Sequence, residues 1–150
     1  MLDRFASIEQ GDSSPPHPWP VFFYGTLSLP HILQQILDLS EPPTYIDGSV
    51  YGWELKMWGP YPALVLTNPY DIDRVTNAKV WMMPGGEEGE RMLKRLEQYE
   101  TENYRKVHCM IYFADGSDPQ LGYTFQWNSY PEELTDGTFD PSSFPISSAL

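Results

Sequence analysis

Every apolar run in the middle of this chain is short and soon meets a proline, a glycine or an asparagine. Fifteen prolines and eleven glycines in 150 residues turn the backbone too often for a helical bundle. Between the turns, apolar and polar residues alternate or run apolar for a few positions, which is how strands read. Only two segments keep a helical period. That ratio of short strands to helices limits the chain to a sheet-dominated α+β fold.

WPVFFY, starting at Trp19 and stopped by Gly25, is expected to be a buried strand. PHILQQILDL follows, with Pro30 in a first helical turn and Ile32, Leu33, Ile36 and Leu37 at helical spacing. The helix should stop before Pro42-Pro43. GSVYGWELKMW, YPALVLT and RVTNAKVWMM read as three further strands. PGGEEGERMLKRLEQYE is the second helix, with Glu87, Glu88 and Glu90 in its first turns, where the dipole favours anions. Glu87 with Arg91 and Glu90 with Lys94 are spaced for i,i+4 pairs, and Met92, Leu93, Leu96 and Tyr99 form the apolar face. YRKVHCMIYF and LGYTFQWN are the last strands, joined by ADGSDPQ. Flanking them, residues 1–18 form a polar, proline-rich leader expected to be disordered, and residues 130–150 a tail expected to hug the surface or fray. Residues 19–129 are then one α+β domain, a mixed β-barrel-like sheet flanked by helices.

A net charge of −12 argues against nucleic acid or an anionic membrane as partner, since either demands a basic face. The single cysteine, Cys109, allows no internal disulfide, and His17, His31 and His108 are too scattered for a metal-ligand pair. No apolar run nears the ~20 residues of a membrane span. Residues 1–10 carry Asp3 and Glu9 and lack the apolar centre of a signal peptide. A cytoplasmic, metal-free domain is the expectation.

Two local features point to chemistry. At about 100° per residue, Glu100 falls roughly 50° from the centre of the second helix's apolar face, so it points largely inward. It also lies at the helix C-terminus, where the dipole disfavours a negative charge, and both effects raise a carboxyl pKa toward the range of general acid–base catalysis. The competing reading ends the helix one residue early and leaves Glu100 in water or paired with Arg105. The second feature is the turn Tyr24-Gly25-Thr26-Leu27, where a strand passes through glycine into a helix. Such turns leave backbone N–H groups aimed at one spot that can hold a carboxylate or phosphate, with Gly25 allowing close approach and Thr26 a hydroxyl. Most such turns are only connections, and no Gly-Lys-Ser/Thr follows to make this a P-loop.

FFYGTL after the first strand, Gly59-Pro60-Tyr61-Pro62-Ala63-Leu64 in the middle and LEQYETENYRKV at the second helix occur in this order. Together they resemble the γ-glutamylcyclotransferase-like family, including its AIG2-like and γ-glutamylamine cyclotransferase branches, across roughly residues 20–128. The resemblance implies a barrel-like fold with a pocket between the first turn and the second helix. It implies that the backbone at Tyr24, Gly25, Thr26 and Leu27 holds the carboxylate of a small-molecule substrate and that Glu100 is the essential glutamate. The implied reaction is intramolecular: the α-amine of a γ-glutamyl group attacks its own γ-carbonyl, releasing an amine and 5-oxoproline. A tethered nucleophile needs neither a covalent intermediate nor a metal or other cofactor. Tyr61 and Tyr123 are candidates for the pocket wall, with a core position the alternative for each, and Arg105 for a substrate carboxylate, with a plain surface role the alternative. Where the family often has glycine after the glutamate, this chain has Thr101.

Other residues give weaker signals. His108 and Cys109 are consecutive on a strand, point to opposite faces and cannot form a catalytic pair. Trp53 and Trp58 read as core. Two further readings of the whole remain: a same-fold isomerase or acyl-transfer enzyme acting on a specialised metabolite, and a non-catalytic binding module that kept the pocket.

Overall fold

A computed structural model of the chain describes residues 17–68 and 70–140. In chain order these form β1 (Trp19–Phe23), α1 (Pro30–Leu37), β2 (Ile46–Tyr51), β3 (Trp53–Trp58), β4 (Tyr61–Leu66), β5 (Val75–Met83), α2 (Gly86–Glu100), β6 (Tyr104–Phe113) and β7 (Gln120–Trp127). Five strands close into a barrel in the order β1-β5-β2-β6-β7, while β3 and β4 form a separate hairpin. The barrel is antiparallel except where β1 meets β7, paired in parallel through Val21 and Tyr123. This is the expected mixed, barrel-like α+β fold.

The stretch GSVYGWELKMW is two strands rather than the one its pattern suggests. Gly52 breaks it: at φ 86° its backbone lies where an L side chain is strained, and the chain leaves the barrel there. Its N–H donates to the Arg74 carbonyl at 2.7 Å, and its carbonyl accepts from the Thr67 N–H and hydroxyl, both at 2.9 Å. Both ends of the β3–β4 excursion are thereby tied to one residue. Helix α1 ends at Leu37, the last residue of its apolar pattern and short of Pro42-Pro43 as expected, because Asp38 turns left-handed and donates its N–H back to Gln34 and Gln35. Glu87 and Arg91 do not form the expected ion pair.

β1 is buried on both faces, which is why it reads as continuously apolar. Val21 and Phe23 face the helices, where they pack with Ile32, Leu33, Met92, Leu93 and Leu96. Phe22 faces the other way and packs with Val50, Val80, Cys109, Ile111 and Phe113 in the barrel. Each of these fully buried aliphatic and aromatic side chains contributes about 2 kcal/mol of burial free energy.

The tail is held rather than frayed as far as it is described. Thr135 and Met57 exchange two backbone hydrogen bonds of 2.8 Å, and Asp136 meets Lys56 at 2.8 Å. The expectations for residues 1–16 and 141–150 fall outside the described residues. Among the described residues no helix is long and apolar enough to cross a membrane, and no group of His, Cys, Asp or Glu side chains gathers to hold a metal ion.

Candidate active site

The turn after β1, the end of α2, the start of β6 and the β3–β4 hairpin meet around a cavity of about 330 Å³. Tyr24, Gly25, Thr26, Leu27, Tyr61 and Glu100 all line it.

After Phe23 the chain makes a single 3-10 turn over Thr26–Ser28. The N–H groups of Ser28 and Leu29 donate to the carbonyls of Gly25 and Thr26 at 3.0 Å, and the Ser28 hydroxyl reinforces the Gly25 carbonyl at 2.6 Å. Those bonds leave the N–H groups of Gly25, Thr26 and Leu27 without an acceptor among the described residues, as the start of any helical turn must. A Cβ on Gly25 would lie 3.2 Å from Pro62 Cγ, so glycine lets the turn and β4 close against each other. The turn is braced from behind: the Tyr45 hydroxyl donates to the Leu27 carbonyl at 2.7 Å, and the Thr26 hydroxyl is 2.7 Å from the Tyr99 hydroxyl.

Glu100 is the last residue of α2. One side of it faces the cavity, so the residue is only half-buried by surface exposure, but protein atoms crowd it on the rest. Burial pushes its carboxyl from the ordinary 4.5 up to about 8. No hydrogen bond or ion pair reaches that carboxyl among the described residues, and the neighbouring tyrosines explain why. Tyr104 donates its hydroxyl to the Pro62 carbonyl at 2.8 Å, and Tyr24 donates to the Phe125 carbonyl while receiving the Leu64 N–H at 3.4 Å. Their protons are committed to backbone. Burial first, and the Glu100 charge second, hold the Tyr24 and Tyr104 hydroxyls above their usual range, so both stay neutral. Tyr99 is raised as well, by burial, with Glu100 adding to it.

Past Glu100 the chain reverses sharply. Thr101 has φ 66° and ψ −172°, a region essentially reserved for glycine. Its N–H closes the helix on the Glu97 carbonyl at 3.0 Å, and its hydroxyl accepts from the backbone and side-chain N–H groups of Asn103 at 3.4 Å each. That reversal brings Asn103 and Tyr104 into the cavity wall.

Two expected residues are not brought here. Arg105 follows Tyr104 on β6, so pleating turns it to the other face, where it is exposed and bonded to neither Glu100 nor the cavity. Tyr123 is buried two positions before Phe125 on the same face of β7, and it is Phe125 that lines the cavity. Tyr123 instead packs with Trp19 and His108, ring centroids 5.4 and 5.0 Å away, beneath the Lys106 ammonium. Cys109 is buried, its thiol pushed up to about 12 by burial, and His108 lies on the opposite face. Conversely, Trp58, Pro62, Tyr99, Asn103 and Tyr104 line the cavity without having been singled out for it. Their signal was adjacency: Tyr99 precedes Glu100, Asn103 and Tyr104 belong to LEQYETENYRKV, and Trp58 and Pro62 flank Gly59-Pro60-Tyr61.

Several solved structures share the fold at low identity. An Arabidopsis thaliana protein determined in solution is 21% identical with a TM-score of 0.65, covering 91% of this chain and 78% of its own. An AIG2-like protein from Mus musculus is 19% identical with a TM-score of 0.61, covering 87% of this chain and 93% of its own. A γ-glutamyl cyclotransferase specific to glutathione from yeast is 12% identical with a TM-score of 0.55, covering 74% and 69%. No curated protein matches the chain in sequence. The family model described as gamma-glutamyl cyclotransferase, AIG2-like, matches residues 21–142. Because that match takes in every strand and helix described, except the first two residues of β1, the chain belongs to the γ-glutamyl cyclotransferase, AIG2-like family.

Proposed function

We propose that the protein cyclises a γ-glutamyl amine or peptide to 5-oxoproline, with Glu100 carrying the protons. The observation that supports this best is a carboxyl with no hydrogen bond or counter-ion, facing a cavity whose wall also presents the unbonded N–H groups of Gly25, Thr26 and Leu27. A γ-glutamyl group carries a matching pair of charges, an α-carboxylate for the N–H groups and an α-ammonium for Glu100.

With the cavity empty, a carboxyl at about 8 is mostly protonated at neutral pH. An α-ammonium beside it favours the carboxylate, so binding drives Glu100 to ionise. The carboxylate then takes one proton from the ammonium, and the freed amine attacks the γ-carbonyl carbon. As the new C–N bond closes the five-membered ring, the bond to the departing amine breaks and Glu100 gives its proton to that nitrogen. The carboxylate then takes the second proton from the ring nitrogen and passes it to the released amine, which leaves as an ammonium. Protons and bonds balance without a covalent intermediate, because the nucleophile is tethered to its own electrophile. Tyr24 and Tyr104, locked onto backbone carbonyls, hold the walls and compete for no proton.

The test is 5-oxoproline release, followed by mass spectrometry, from a panel of γ-glutamyl dipeptides and γ-glutamyl amines. Release by the wild type and its loss by about 10³-fold in Glu100→Gln support the reading. A folded wild type that releases none from the whole panel would favour a specialised metabolite or a binding role.

A further inference from the structure

Resting on the cyclotransferase reading, we propose that the amine released here is an aromatic one carrying no carboxylate, an arylalkylamine rather than an amino acid or peptide. The cavity is lined by Phe22, Phe125, Trp58, Tyr61 and their neighbours, and among the described residues no lysine, arginine or histidine lines it. Among the described lining residues Glu100 is the one acidic side chain. Of the described cations on the strands that carry the cavity wall, Lys106 is paired with Glu97 at 3.2 Å and Lys56 with Asp136 at 2.8 Å, while Arg105 faces away. With the substrate's α-carboxylate on the turn's N–H groups, a second carboxylate on the leaving group would be desolvated without a counter-charge, in a protein of net charge −12.

The mouth supplies what would take its place. Trp58 and Tyr61 form a register pair on the β3–β4 hairpin, at 6.4 Å between ring centroids, and Tyr61 is 41% exposed at the opening. Trp58 is backed by Trp127 at 5.0 Å, and Trp127 by Tyr104 at 5.5 Å edge-on. The tail holds the hairpin in place through Thr135 and Met57, next to Trp58. A group projecting outward from the scissile bond therefore meets a supported aromatic wall and no fixed positive charge.

The experiment uses matched pairs: γ-glutamyl-2-phenylethylamide beside γ-glutamyl-phenylalanine, which differ by one carboxylate, and γ-glutamyl-ethylamide beside the phenylethylamide, which differ by the ring. 5-Oxoproline release is read as kcat/KM. The phenylethylamide is expected to exceed γ-glutamyl-phenylalanine by at least about 100-fold, and the ethylamide by about 10-fold. Trp58→Ala should erase the preference for the ring while keeping the discrimination against the carboxylate, and Trp58→Phe should retain both. Equal or better turnover of γ-glutamyl-phenylalanine, or a ring preference that survives Trp58→Ala, overturns the proposal while leaving the reaction standing. Calorimetric binding of the same compounds to Glu100→Gln separates the two claims. Selective binding without turnover in the wild type defeats the reaction but supports this specificity, and equal or absent binding defeats the specificity.

Discussion

Glu100 and Thr101 are adjacent and both are held against their own preferences. A native carboxyl raised to about 8 binds a proton that the unfolded chain has lost above 4.5. Its native state therefore holds more protons than the unfolded state between those two values, and stability falls as pH rises through that window. Glu100→Gln removes the effect. Urea unfolding at a series of pH values should show wild type and Glu100→Gln alike near pH 4. The variant should become more stable by on the order of 3 kcal/mol once the pH exceeds 8. A pH-independent difference would mean that the carboxyl is not enclosed as described. Thr101, at φ 66° and ψ −172°, carries a strain of about 1–3 kcal/mol that glycine would not. Thr101→Gly relieves it, against a smaller loss from the floppier unfolded chain and two long hydrogen bonds to Asn103. The expected result is a net gain of about 1 kcal/mol in thermal or chemical unfolding, and a loss would show that those bonds dominate. Helical angle alone pointed Glu100 inward, because the apolar face of α2 is well marked. Tyr123 was harder to place: aromatic residues on the helix-facing side of β7 look alike in sequence, and two residues along the strand separate the cavity wall from the core.

Among the elements, the β3–β4 hairpin matters most to the site and was the least legible. The apolar positions in GSVYGWELKMW slip by one residue at Tyr51-Gly52, from Val50 to Trp53, Leu55 and Met57. Such a slip does not tell a bulge from a departure out of the barrel; the backbone at Gly52 does. Trp58 accordingly looked like core, when the hairpin in fact carries it to the cavity. The tail's grip on β3 was equally hidden, since a polar sequence gives no periodic signal for one isolated bridge between Met57 and Thr135. Thr135→Pro deletes the N–H that donates to the Met57 carbonyl and should cost about 1 kcal/mol. Hydrogen exchange should then show faster exchange at Met57, with β6 and β7 keeping their protection. Unchanged exchange at Met57 would mean that the tail does not restrain the hairpin.

For the whole molecule, the class was readable from punctuation and period, but the seventh strand, hidden in GSVYGWELKMW, and the order β1-β5-β2-β6-β7 were not. Alternation tells which face a residue takes and says nothing of which strand lies beside it. The closure of β1 on β7 rests on small residues that composition cannot locate. A Cβ on Gly122 would come 2.2 Å from the Pro20 carbonyl oxygen and 2.7 Å from Ile111 Cδ1. Gly122→Ala must therefore push the two strands apart, and a loss of at least about 2 kcal/mol in urea unfolding is expected. A neutral result would mean that the seam tolerates separation. Closure also brings the end of β1 and the start of β6 to the same end of the barrel, which is how the turn and Glu100, far apart in sequence, come to share a cavity.

The most direct test of the central claim is the pH dependence of kcat/KM for 5-oxoproline release by the wild type, with Glu100→Gln measured alongside. The account predicts an acid limb rising toward a pKa of about 8, the value of the carboxyl in the free protein, and activity lower by about 10³-fold in the variant. An acid limb near 4.5, or a Glu100→Gln protein as active as the wild type, would contradict it.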